Sequence, residues 1–258
     1  MWFKRYFSDY LGLWLTQVGF AVGVLLTPAY IYGSQSVVSK AGELFGVRPA
    51  FTDLLVFSMV LSALLGVVAI IIGDMVGTLY YEFKIAESTV LIFEATGLTQ
   101  YIVVNAVVRS IVNTLLSSIY LLPVLGALKG ASGLITYLVV VMVLVPAGVT
   151  LGLLASIVGL SVIYFVDVRR PWSIAQLLPP VILASSGVYI PVRMIPLALR
   201  VVGYITPVPF VVEALQWITL LFDESRIAQY LLFLTAIYAL YVTVSVLAIN
   251  RVDRVVRK

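Results

Sequence analysis

Asn105, Arg109, Asn113 and Ser117 follow one another at four-residue steps inside an otherwise apolar run. On a helix they form one polar stripe, and an arginine at the bilayer centre costs about 2.5–3.5 kcal/mol on insertion scales, so this face should avoid lipid. Arg109 falls near one end of its run and can lean back toward the interface. Asp74, at the end of the preceding run, is the partner it predicts. Two readings of the stripe stand: hydrogen-bonded glue between helices, or the lining of a substrate path.

Covalent chemistry has little to work with. The chain has no cysteine and no histidine, which removes thiol nucleophiles, imidazole bases and the usual zinc ligands. No Gly-x-x-x-x-Gly-Lys-Ser/Thr loop is present, and the few carboxylates lie at the ends of apolar runs. No catalytic residue and no metal ligand is expected.

The elements that position the stripe follow from composition. Of 258 residues, 62% are hydrophobic and only 11% charged, with mean hydropathy +1.12. A soluble domain carries about 25% charged residues. The apolar runs are continuous rather than alternating, which excludes an outer-membrane barrel. The fold class is therefore an all-α membrane protein, read as one transmembrane domain over 1–258. The net charge of +4 is small and its basic residues flank the spans, which fits orientation in a membrane and no nucleic-acid partner.

Six spans are expected. Residues 1–10 mix aromatic rings with Lys4 and Arg5 and read as an interfacial helix, with no cleavable leader. Spans follow at about 11–32, 51–73, 101–126, 134–165, 173–189 and 227–249, with a polar loop at 33–50. Pro146 should kink the fourth, and Pro179 and Pro180 should interrupt the fifth. Gly148, Gly152 and Ser156 read as a contact face on the fourth.

Two intervals are not spans. Residues 82–97 are short and charged; on a helix Ile85, Thr89, Ile92, Phe93 and Thr96 share one side, and Glu87 and Glu94 the other, flanked by Lys84. They read as an interfacial linker or as a helix that docks a cytosolic partner. Residues 190–222 are broken by Pro191, Pro196, Pro207 and Pro209, which suits two half-helices entering the membrane and returning. Counting Lys and Arg, nine lie on the side of the termini and six on the other, with Arg109 inside a span. That excess places both termini and 82–97 in the cytosol and 190–222 outside.

Taken in order, two stretches resemble a known family. Ser88 to Gln100 resembles the segment after the second span of permease subunits of ATP-binding-cassette exporters of the drug and polysaccharide type. Thr89, Ala95, Thr96, Leu98 and Thr99 match that pattern, while Leu91, Gly97 and Gln100 stand where it has Glu, Pro and Arg. Pro191 to Gln216 resembles the family's outer hairpin, with Thr206, Pro207, Phe210, Glu213 and Ala214 in place and Gln216 where Arg is common.

The resemblance implies a coupling helix at 82–97, with Lys84, Glu87, Thr89, Ile92, Phe93, Glu94 and Thr96 meeting an ATPase subunit. It implies an outer re-entrant hairpin carrying Pro191, Pro196, Pro207, Phe210 and Glu213. It also implies a homodimer or pseudo-dimer of permeases in the plasma membrane, contacting lipid, with ATP and Mg bound on the partner subunit and none on this chain. Other classes are a secondary transporter or channel subunit working alone, and a membrane scaffold.

Overall fold

The computed structural model describes residues 2–45, 49–86, 92, 97–166, 171–188, 191–221 and 224–256. All regular structure among them is helical. The long elements are α1 (Trp2–Tyr32), α3 (Phe51–Tyr80), α4 (Leu98–Ser118), α6 (Ala131–Ser161) and α10 (Glu224–Val256). Shorter ones are α2 (Ser34–Phe45), α5 (Leu121–Lys129), α7 (Pro171–Ser185), α8 (Leu197–Gly203) and α9 (Val208–Gln216). Wider π-helical turns extend α3, α6 and α9, at Tyr81–Ile85, Val162–Val166 and Trp217–Leu221.

Among the described residues, four helical stretches are long and apolar enough to cross a membrane: Phe51–Ile85, Leu98–Ser118, Ala131–Tyr164 and Arg226–Val255. A fifth span exists if the pair Leu197–Gly203 and Val208–Leu220, bent by 93°, counts as one. Two shorter apolar stretches, Leu11–Gly23 and Ala175–Ser185, lie in the remaining two expected spans, the first inside the 31-residue helix α1.

Several boundaries differ from the sequence reading. The interfacial segment is not a separate helix, because Trp2 to Tyr32 is one helix. The polar loop at 33–50 contains α2, which starts after Gly33 at φ +82°. The third span ends at Ser118, and Leu121 starts a new helix. The fifth is not interrupted: α7 runs through Pro179 and Pro180. Each proline removes one helical donor, yet the helix continues through both to Ser185.

α3 is the axis of the bundle. It touches α1, α4, α6 and α7, and 72% of its most apolar window is buried, against 22% for α10. Its side chains are apolar all round, as a helix enclosed by others requires. Contact with α6 depends on small residues: a Cβ on Gly159 would lie 3.1 Å from Leu79 Cδ1. Contact between α6 and α4 is closer still. A Cβ on Gly148 would lie 2.2 Å from Thr114 Oγ1, and one on Gly152 2.1 Å from Ser110 Oγ. The expected contact face on the fourth span is thus a helix-to-helix seat for α4.

Between Asp53 and Asp74, α3 carries twenty residues and no charge. At ~1.5 Å per residue this is ~30 Å, the thickness of a hydrocarbon core. Each end of that stretch is marked by an ion pair. Asp53 takes Lys129 Nζ at 2.8 Å, and Asp74 takes Arg109 at 3.2 Å. Beyond Asp74 the helix continues without a break to Ile85, projecting ~16 Å further.

Candidate functional site

The site is built on the seam between α3 and α4, which run antiparallel. Position along one falls as position along the other rises: Ser62 meets Tyr120, Asp74 meets Arg109, and Glu82 meets Tyr101. The Tyr120 hydroxyl lies 2.7 Å from Ser62 Oγ and donates to the Met59 carbonyl at 3.0 Å. α1 closes this end, its Trp14 Nε1 donating to the Leu116 carbonyl at 2.8 Å.

The centre is the Asp74 carboxylate. Arg109 Nη1 donates to its two oxygens at 3.2 and 3.5 Å, and Asn113 Nδ2 donates to Oδ2 at 2.9 Å. Thr78 Oγ1 approaches Oδ1 at 3.4 Å from the next turn of α3. Arg109 Nε in turn donates to Asn105 Oδ1 at 3.4 Å. Three of the four stripe residues therefore meet around one acid, and the expected pairing of Arg109 with Asp74 is present.

Ser117 does not join them. It is fully buried, and its Oγ donates to the Asn113 carbonyl of its own helix at 2.6 Å. A four-residue step turns a helix by ~400°, so the stripe drifts ~40° per step and the fourth member lies ~120° from the first. Ser110 and Thr114, outside the stripe, are instead the residues seated on Gly148 and Gly152. Among the described residues their buried hydroxyls have no hydrogen-bond partner.

The side chains of Arg109 and Asp74 remain 38% and 30% exposed, so the pair opens at the surface of the bundle. It offers a fixed cation and anion with amide donors, an arrangement that can bind or align a polar group. Among the described residues no group of three acidic, His or Cys side chains could hold a metal ion.

Beyond Asp74 the polar seam continues. Tyr101 donates to Glu82, and Thr99 Oγ1 donates to Asp253 of α10 at 3.1 Å. This ties the start of α4 and the end of α10 to the projecting end of α3. Sequence reasoning missed both contacts, since nothing in the spacing of Glu82 or Asp253 names a partner far along the chain.

Of the expected partner-contact residues, Lys84 is exposed on the π-turn that ends α3. Ile92 corrects the reading: it is 8% exposed and belongs to the chain's own core, so it is not a surface anchor. A 100° wheel ignores the neighbours that cover one face of a short helix. Glu87, Thr89, Phe93, Glu94 and Thr96 lie outside the described residues. Gly97, where the resembled pattern has proline, sits at φ +79° with its N–H donating to the Ile92 carbonyl at 3.1 Å. Proline, with φ near −65° and no N–H, can do neither, so the substitution is a real change of turn.

In 190–222, Pro191 precedes a short 3-10 turn, Pro196 caps α8, and Pro207 caps α9. Each proline begins a piece rather than interrupting one. Phe210 lies between Tyr204 at 5.2 Å and Phe233 of α10 at 6.0 Å. Glu213 accepts from the Tyr230 hydroxyl of α10 at 2.7 Å. Gly203 brings α8 onto α7: a Cβ there would lie 2.2 Å from the Ser185 carbonyl oxygen.

Compared with known proteins, the chain matches no protein-family model, no curated protein and no solved structure.

Proposed function

We propose that this chain is the membrane-spanning subunit of an ATP-driven exporter, moving a drug, lipid or polysaccharide outward with energy from a separate ATPase subunit. The observation that carries this reading is α3. One unbroken helix links the Asp74–Arg109 cluster at the edge of the apolar bundle to the charged segment that begins at Glu82. A helix tied at both levels to α4 moves as a rod, so a push at 82–97 would reach the cluster as a hinge or shear displacement. The resemblance of 88–100 and 191–216 to exporter permeases supports the same assignment.

In this proposal the chain crosses the plasma membrane six times as a dimer, with α1 and α7 completing the spans where a second subunit or lipid covers them and the bent pair entering the membrane and returning. Both termini and 82–97 face the cytosol, where an ATPase carrying ATP and Mg docks; the α8–α9 hairpin is outside. The test is co-expression with a candidate ATPase, followed by pull-down and substrate-stimulated turnover in reconstituted vesicles. Phe93→Ala should release the ATPase or uncouple stimulation while the membrane fold persists, because a few buried aromatic residues dominate such interfaces. Glu87→Lys with Glu94→Lys should slow assembly, most visibly at low salt. ATPase binding and stimulation equal to the parent in every variant would refute the docking role.

A specific observation favours a second reading. The Asp74–Arg109 pair is a third exposed at the apolar boundary and a 93° helix break lies in the same chain, both features of transporters that need no ATPase. Solute movement driven by an ion gradient through vesicles holding this chain alone would establish it.

A further inference from the structure

The end of the bundle opposite Asp253 holds a cavity that the exporter reading does not use. Tyr230, whose hydroxyl reaches Glu213, lies ~35 Å along α10 from Asp253, which places the α8–α9 hairpin at the other membrane boundary. There a cavity of about 360 Å³ is lined by Leu44, Arg193, Arg200, Tyr204, Glu213 and Gln216. The volume suits a small ligand or a headgroup.

Arg200 is fixed in place. Its Nη2 donates to the carbonyls of Arg193 at 3.0 Å and Ile195 at 3.1 Å, while its Nε is buried with no partner among the described residues. A guanidinium held by two carbonyls and left with an unpaired buried donor is poised for an acceptor. Arg193 is exposed at the rim and forms no ion pair among the described residues. Glu213 is the one acid among the described lining residues, and it is already engaged by Tyr230. The cavity therefore carries net positive charge.

Its surroundings are apolar and uncovered. Leu197, Leu199, Val201 and Ile205 of α8 and the turn after it are 73%, 46%, 61% and 63% exposed. A cationic hollow beside an exposed apolar helix matches the two parts of an amphiphile. We propose that Arg193 and Arg200 form a binding site for a phosphate group, carried by a phospholipid whose acyl chains lie along α8.

The full chain, purified in detergent, is titrated with phosphatidylglycerol, diacylglycerol and inorganic phosphate, with bound ligand counted by native mass spectrometry. Phosphatidylglycerol should bind at least tenfold tighter than diacylglycerol, and Arg200→Gln should remove that preference. Because Arg200 also ties the turn, Arg193→Gln is the second variant: its side chain makes none of those bonds, and it should weaken phosphatidylglycerol severalfold with the fold intact. Inorganic phosphate binding as tightly as the lipid, with the same arginine dependence, would assign the site to the free ion and retire the lipid. Equal binding of phosphatidylglycerol and diacylglycerol, or no effect of either substitution, overturns the site.

Discussion

Arg109→Leu tests whether the seam cluster holds α3 and α4 together. The substitution leaves Asp74 with Asn113 at 2.9 Å and Thr78 at 3.4 Å, and takes away its ion pair. An exposed pair is worth about 0–1 kcal/mol. Breaking a buried one by removing a single partner costs about 3–5 kcal/mol, because the other charge stays behind. With side chains 38% and 30% exposed, the pair lies between those limits. We expect Arg109→Leu to cost about 2 kcal/mol, with Asp74→Leu similar. The double variant strands no charge, so it should cost less than the sum of the singles by about 1–2 kcal/mol. Unfolding in mixed micelles of rising SDS content, followed by tryptophan fluorescence, gives the four stabilities of the cycle. Single variants within about 0.5 kcal/mol of the parent, and a strictly additive double, would refute a structural role for the pair.

Gly152→Ala places a Cβ 2.1 Å from Ser110 Oγ and 3.3 Å from the Ala106 carbonyl, and should destabilise by about 1–3 kcal/mol in the same assay. Gly73→Ala, with nothing within 4 Å of its Cβ, should be neutral or stabilise by up to about 1 kcal/mol; a reversal of that order would refute the α4–α6 seat. Tyr120→Phe loses its bonds to Ser62 and the Met59 carbonyl and should cost about 1–2 kcal/mol; no change would mean that these bonds do not hold α3 to α4. Because the chain has no cysteine, Ser88→Cys can be labelled alone in intact cells. It should react with an impermeant maleimide only after permeabilisation, and labelling from outside would invert the proposed orientation.

Sequence alone determined the solvent. An uninterrupted apolar run such as 54–73 cannot be hidden in a soluble domain of this size, so the helical membrane class follows from composition and run length. It also named the Arg109–Asp74 pairing, because a charge in such a run needs a partner and few were on offer. The broken character of 190–222 was legible too, since each proline forbids an internal helical bond. Tertiary structure decided the rest. Ser117 leaves the polar stripe because 3.6 residues per turn do not keep a four-residue repeat on one line. Ile92 turns inward because the bundle covers it, and a helical wheel contains no neighbours. α3 continues past Asp74 to Ile85 because Tyr101 and Phe83 find partners there, in Glu82 and in Tyr164 at 6.4 Å, contacts that local pattern does not encode. The arginine cavity was beyond reach for the same reason: Leu44 of α2 and Arg200 of α8 come to line one cavity only in the folded bundle.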